Sequence, residues 1–515
     1  LVVAAEKAGI KKFDLDKNEQ RIGEVPFSSE RKRMTTIHQT QNGGKTAYMK
    51  GAPEVVLEKC GKILLDGKIQ PLTAEIRKEH HKVTEDLALL ALRNLGFAYK
   101  ELSESAGEFS EAMEEDFVFV GIMSMIDPPR PEVKDAIGIC RKAGIRVVMI
   151  TGDHKLTAKA VAKELGLLGD AVDEGQVLTG QDLEKMTDEQ LEEVVEKVVI
   201  YARVAPEHKS RIVKAWQKKN QVVAMTGDGV NDAPALKMAD IGIAMGITGT
   251  EVTKEAADMV LADDNFASIV KAVREGREIY DNIKKYLTYL LRGNIMEILV
   301  IFIAVTSVPY IASLLSPGSD MELVSSAAIA LTAVQILWVN LVTDGLPAIA
   351  LGVDPGDPDL MERPPRKPNE SIFTRDVKIN LIVVPALMTA LLLIAYMTQQ
   401  PWLSQSNLVA ARTQLFTAMV SMELVIAISA RSIRYPVFKV GLFKNKYLWI
   451  AIASSLAMQL VVLYVPGVQE LFHVQSPGVM DWIVAVLFAA IIFSVIETGK
   501  YFTSRIKRPL AQKKT

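Results

Sequence analysis

Cysteine is nearly absent from this chain: Cys60 and Cys140 are the only two in 515 residues, and no C-x-x-C spacing occurs. That argues against a disulfide framework or a thiolate zinc site, and fits a reducing cytosol for the region holding them. An excess of one charge is absent too, since 59 Lys and Arg face 61 Asp and Glu for a formal net charge of -2. Nucleic acid, which favours clustered basic surface, is therefore not an expected partner. The opening LVVAAEKAGI lacks the basic stretch, apolar core and small-residue cleavage site of a signal peptide. It reads like the middle of a helix, and the chain is expected to begin inside a domain.

What the chain does have is apolar residues, 49% of the total, with a mean hydropathy of +0.18. Its length implies several domains rather than one core. Up to about Lys285 short apolar runs alternate with amphipathic, charged stretches, as in soluble α/β proteins. Beyond it come six apolar stretches near Tyr286–Ser307, Leu323–Gly352, Ile379–Thr398, Leu408–Ala430, Tyr447–Val465 and Trp482–Glu497. Stretches of roughly twenty such residues cross a lipid bilayer as helices. The intervals 308–322, 399–407 and 466–481 hold no Lys or Arg, whereas the alternate ones hold Arg363, Arg366, Lys367, Arg375, Lys378, Arg431, Arg434, Lys439, Lys444 and Lys446. The tail adds Lys500, Arg505, Lys507, Arg508, Lys513 and Lys514. The positive-inside rule then predicts a multi-pass membrane protein with its soluble half and C-terminus in the cytosol.

In the soluble half, three apolar runs end in polar residues. FVFVGIMSMI leads into Asp127-Pro128-Pro129-Arg130, IRVVMI into Thr151-Gly152-Asp153, and QVVAM into TGDGVNDAPAL. Helical segments such as PEVKDAIGICRKAG separate the runs, which predicts βαβ units and one parallel sheet with all three motifs at its carboxyl edge. Such an edge suits phosphoryl transfer. Thr151 and the amides beside Gly152 can donate to phosphate oxygens, and Asp228 can hold Mg2+ as a hard oxygen ligand. Asn231 and Asp232 can orient neighbouring groups, while Lys209 can offset phosphate charge. A lone TGD is ordinary turn chemistry. Two carboxylates, an amide and two glycines within TGDGVND have no ordinary core role.

DPPR, TGD and TGDGVNDAPAL, followed by IGIAMG and LADDNF, occur in the order found in P-type ATPases, and essentially the whole chain resembles that family. The resemblance implies an α/β haloacid-dehalogenase-like phosphorylation domain over 116–275, a partial α+β nucleotide-binding domain over 1–115, and an all-α six-helix transmembrane region over 276–515. It implies that Asp228 binds Mg2+, that Thr151, Gly152 and Lys209 serve the phosphoryl group, and that Asn231 and Asp232 support them. Asp127, Arg130, Asp153 and Arg203 would sit around the nucleotide-facing side. Phe27 in VPFSSERKRM, Lys50 in MKGAPE and Arg93 in ALRNLGFAYKE stand as in calcium pumps of the family. Phe27 would stack on adenine of ATP, and Lys32, Lys50 and Arg93 would pair with its phosphates or ribose. The family's phosphorylated D-K-T-G-T string and its T-G-E-S loop do not occur here. In the family both lie upstream, with four further helices. The chain by itself is therefore expected to be inactive, to lack its sheet's central strand, and to need the missing N-terminal half as a partner.

Within the apolar stretches, Asn294 and Glu297 share one helix face, as do Asn340, Thr343 and Asp344, and Glu423 lies on the fourth stretch. Ionisable residues in such positions are costly and usually functional. Three carboxylates and two amides make an oxygen-rich site that suits Ca2+. Gly345 and Pro347 follow Asp344, so the backbone there is expected to loosen and free carbonyls. Interhelical hydrogen bonding explains Asn294 or Thr343 alone, but not Asp344 with two glutamates. RGNIMEI, WVNLVTDGLP and SMEL are similar to the ion-binding helices of sarco/endoplasmic-reticulum-type calcium pumps, which implies an ATP-driven Ca2+ exporter working through an aspartyl-phosphate. The alternatives are a P-type pump for Na+, H+ or Mn2+, a phosphatase fused to a membrane anchor, and a non-catalytic fragment. A phosphatase of this class needs a D-x-D nucleophile, which is missing.

Overall fold

The computed structural model describes residues 1–28, 31–40, 43–89, 92–103, 110–125, 129–169 and 173–506. Asp127 and the tail residues Lys507, Arg508, Lys513 and Lys514 lie outside the described residues. The chain divides into two compact units, Leu1–Arg141 with Ile145–Ser268, and Lys142–Gly144 with Ile269–Thr515.

The first unit opens with a seven-stranded sheet: β1 (Gln20–Val25), β2 (Arg33–Gln39), β3 (Lys45–Gly51), β4 (Cys60–Leu65), β5 (Lys68–Pro71), β6 (Arg93–Leu102) and β7 (Phe117–Met125). Its order is β1-β2-β3-β6-β7-β4-β5, antiparallel except where β4 meets β7. Alternate residues turn inward, so Ile37, Ala47, Met49, Ala98, Phe117 and Phe119 build its core with Val56 and Leu57. This corrects the expectation for FVFVGIMSMI. As β7 it completes the mainly antiparallel sheet instead of opening the parallel one, and it belongs with residues 1–115. A buried face offered by β4 and β6 outweighed the run's parallel-strand appearance.

The parallel strands form two sheets, not one. β8 (Met149–Thr151), β9 (Val177–Thr179) and β10 (Ile200–Ala202) pair in the order β8-β10-β9, while β11 (Ala224–Gly227), β12 (Ile241–Met245) and β13 (Met259–Leu261) pair in sequence order. The helix Pro206–Lys218 joins them. Proline sits in its first turn, where a missing N–H costs nothing. Its Ile212 and Ala215 pack with Leu183, Leu191 and Tyr201, while Val213 packs with Met225, Leu236 and Ala244.

Among the described residues, the second unit holds six helices long and apolar enough to cross a membrane: Phe266–Leu315, Met321–Gly352, Arg375–Thr398, Gln405–Ser429, Lys446–Tyr464 and Val479–Thr503. The first has 50 residues, about 75 Å at 1.5 Å per residue, against a hydrocarbon core of about 30 Å. It therefore runs on through the polar stretch before Tyr286, where the sequence marked only the apolar part. The fourth helix is the centre of the bundle. Of its most apolar window 83% is buried, against 22–44% for the others, yet its hydropathy is the lowest of the six. A helix surrounded by protein meets little lipid and can carry Thr413, Gln414, Thr417 and Glu423 inward.

Candidate functional sites

The residues of the two expected constellations fall in different units. In the first unit, β8 ends at Thr151 and β11 at Gly227, so TGD and TGDGVND stand at the carboxyl ends of parallel strands. The Thr151 hydroxyl accepts from the Asp153 amide at 3.0 Å and keeps its own proton free to donate. Asp228 presents an exposed side chain, and its backbone carbonyl accepts from the Thr250 amide at 3.0 Å and the Thr253 hydroxyl at 3.3 Å. Neither threonine stood out in the sequence. Their signal was the capping pattern T-x-x-T opening the helix Glu251–Ala256. Asp232 is buried, pairs with Lys209 at 2.5 Å and accepts from the amides of Asp228 and Gly229 at 3.3 and 3.4 Å. One carboxylate is thus neutralised and structural, and the other is left outward with no cation beside it in this set. Gly227 leaves no room for a side chain, since a Cβ there would lie 2.5 Å from that of Asp232.

Asp264 of LADDNF closes the loop after β12, accepting from the amides of Ile247 at 3.0 Å and Thr248 at 2.8 Å. The Ile247 amide, chief among these donors, draws its carboxyl down to about 2. Arg203 has a positive φ of 52° and donates its amide to the Asp153 carbonyl at 3.1 Å, which brings those two residues together. Arg130 instead donates to the Asp263 carbonyl at 3.2 Å. His154 caps the helix Lys155–Glu164 through Nδ1, and burial first, then Arg203, push its pKa below the ordinary value.

Strand register gathers the expected nucleotide residues at one end of the seven-stranded sheet. Gly51, next to Lys50, pairs with Arg33, next to Lys32, and also with Gly96, three residues after Arg93. Val25 pairs with Thr35, which puts Phe27, 60% exposed, at the same end. Lys32, Lys50 and Arg93 are exposed.

In the second unit, Glu297, Asp344 and Glu423 are 5%, 1% and 1% exposed. Asn340 donates to Glu297 Oε2 at 2.9 Å, and Tyr289 donates to Asp344 Oδ1 at 2.8 Å. Glu297 Oε1 and both Glu423 oxygens have no partner. Gly293 lies beneath the group: a Cβ there would sit 2.8 Å from Asp344 Oδ2 and 3.3 Å from Glu423 Oε1. Tyr289 and Gly293 went unread in the sequence, although both lie on the face of Glu297 at helical spacing, eight and four residues before it. Among the described residues, no three acidic, His or Cys side chains close to metal-ligating distance. Asp344 and Glu423 meet over one glycine, with Glu297 one turn along the same helix, and Tyr289 and Asn340 draw Asp344 and Glu297 partly aside. Burial of carboxylate oxygens without donors is costly, and a cation offsets that cost, so the donor set fits a hard cation.

The backbone loosens before Asp344 and not at Gly345 and Pro347, where it was expected: Gly345–Gly352 is α-helical, and a π-helical turn, Val339–Thr343, separates it from α-helical Ala333–Trp338. The Asp344 amide bonds the Val339 carbonyl, five residues back, at 2.9 Å. Such turns concentrate at functional sites because the extra residue re-aims side chains. Asn294 and Asn340 are half-buried, while Thr343 is buried with its hydroxyl donated to the Val339 carbonyl at 3.1 Å.

Parallel strands whose carboxyl ends gather polar residues, followed by helices long and apolar enough to cross a membrane, define a membrane protein with an α/β part. The sequence matches two models of haloacid dehalogenase-like hydrolases, over residues 69–237 and 209–273. It also matches the cytoplasmic domain N of P-type ATPases over residues 1–132 and the cation-transporting ATPase C-terminus over residues 328–502. A calcium-transporting ATPase of Bacillus subtilis is 42% identical over 95% of this chain and 53% of its own length. Calcium-transporting ATPase 1 of Lactococcus lactis is 40% identical over 97% and 54%, and that of Saccharomyces cerevisiae 37% over 96% and 50%. The chain belongs to the P-type cation-transporting ATPases. It spans about half the length of the curated relatives it matches.

Proposed function

We propose that the chain is the C-terminal part of an ATP-driven pump that exports Ca2+ from the cytosol through an aspartyl-phosphate intermediate. The observation that carries this reading is the trio of buried carboxylates Glu297, Asp344 and Glu423, the last two over Gly293, with unpartnered oxygens on both glutamates. A divalent cation gains more from several carboxylates than a monovalent one, and Ca2+ accepts six to eight irregularly placed oxygens. Asn294, Asn340 and Thr343 would supply neutral oxygens. Mg2+, which demands a tight octahedron, suits this set less well.

At the phosphate edge Asp228 would hold Mg2+, which neutralises charge on the phosphoryl oxygens. Thr151, the amides beside Gly152, and Lys209 would contact the phosphoryl group, with Asn231 and the Lys209–Asp232 pair keeping the edge in shape. Phe27 would stack on the adenine of ATP, with Lys32, Lys50 and Arg93 around it. Arg130, Asp153 and Arg203 would line the nucleotide-facing side. The phosphorylated aspartate would come from an N-terminal segment of the same pump, as in the family's pattern. The loop charges support a cytosolic side for the first unit.

The test is ATPase activity of the full-length parent against free Ca2+, Mn2+, Na+ and pH. Ca2+ should stimulate it, Asp344→Asn should abolish the stimulation, and Asp228→Ala should abolish labelling by radioactive ATP. Stimulation by Na+ without a response to micromolar-range Ca2+ would overturn calcium as the cargo and leave the pump.

A further inference from the structure

The fifth spanning helix supplies none of the expected ion ligands, yet it carries polar side chains on its buried face. Ser455 is 0% exposed and Gln459 is 1% exposed, four residues apart and thus on one side. Both act on the π-turn of the second helix. Ser455 Oγ donates to the Val342 carbonyl at 3.3 Å, and Gln459 Oε1 accepts from Trp338 Nε1 at 2.9 Å. Trp338 is the residue before the turn and Val342 lies within it. At the helix's start Asn445 donates to the Ala350 carbonyl at 2.9 Å. The two helices therefore run antiparallel in one register, with polar rungs on both sides of Asp344.

A π-turn inside hydrocarbon displaces carbonyls from their usual donors, and an unsatisfied carbonyl there favours rewinding to an α-helix. We propose that Ser455 and Gln459 are positioning residues that fix the shape of this turn, and so set how tightly the pump holds its cation without touching it. This rests on the pump reading above.

The experiment is the ion dependence of ATPase activity in the full-length parent. Ser455→Ala and Gln459→Leu should each raise the half-saturating Ca2+ concentration about five-fold, the equivalent of one hydrogen bond. Maximal turnover and phosphorylation from inorganic phosphate should stay unchanged. Ser455→Thr, which keeps the hydroxyl, should behave like the parent, as should Leu460→Ala on the outward face. If Gln459→Leu does not fold, Gln459→Met with Ser455→Ala serves in its place. An unchanged half-saturating concentration in both variants, or an equal shift in Leu460→Ala, overturns the proposal. A parent that answers to another cation moves the same comparison to that cation. A parent that answers to none overturns the pump reading itself.

Discussion

Glu114 illustrates what a single buried charge does in the first unit. It is 0% exposed and accepts from Arg31 at 2.6 Å, Arg33 at 2.8 Å and Thr35 at 2.7 Å. Burial alone raises its pKa, but hydrogen bonds from Thr35, Arg31 and Arg33 prevail and hold it below the usual carboxylate range. Its contribution to stability is therefore present above the unfolded glutamate value, about 4.3, and is lost as pH falls through the lower folded one. Glu114→Gln strands two guanidinium groups that are 12% and 13% exposed. The expected cost is about 2–4 kcal/mol at pH 7, allowing for that exposure. Urea unfolding of parent and variant should show the difference shrinking towards pH 3; a difference independent of pH counts against the paired-charge account.

At the scale of an element, the π-turn is the feature whose shape matters most. Leu341, inside it, is 71% exposed, so its side chain contributes little packing within the protein. Deleting Leu341 removes the one extra residue and lets the turn rewind as α-helix, with both flanks keeping their faces. Asn340 and Asp344 then lose their mutual setting. The expected outcome is a fall of about ten-fold or more in apparent cation affinity, about 1.4 kcal/mol, with helix content by circular dichroism unchanged. Unaltered ion dependence in that deletion would mean the turn's width plays no part.

Across the membrane unit, one buried carboxylate ties four helices together. Asp354, 0% exposed, pairs with Lys285 at 3.1 Å and Arg431 at 2.8 Å, and accepts from Asn445 at 2.8 Å. Asn282 donates to the Asp354 carbonyl at 2.7 Å. These residues come from the first helix, the end of the second, the end of the fourth and the start of the fifth. Asp354→Asn would leave two buried cations against one neutral amide, at a cost of about 3–5 kcal/mol. Thermal inactivation in detergent should start well below the parent's temperature, and adding Lys285→Met should recover part of the loss. An unchanged inactivation profile in Asp354→Asn would show the cluster to be dispensable.

Local chemistry, which needs only residues near in sequence, was open to reading from the chain itself. Twenty-residue apolar stretches must bury their backbone hydrogen bonds as helices, so all six appeared without the fold. Asn294 with Glu297, and Asn340 with Asp344, fell on shared faces through helical spacing alone. The tertiary structure decided what depends on distant partners. β7 joined the antiparallel sheet because β4 and β6 offered its backbone a ladder and its aromatic rings a core. Tyr289, Gly293, Ser455 and Gln459 gained meaning only when helix packing set them against Asp344, Glu423 and the π-turn. Which strand edges and helix faces meet is fixed by burial summed over the whole chain, and no local window of residues contains that sum.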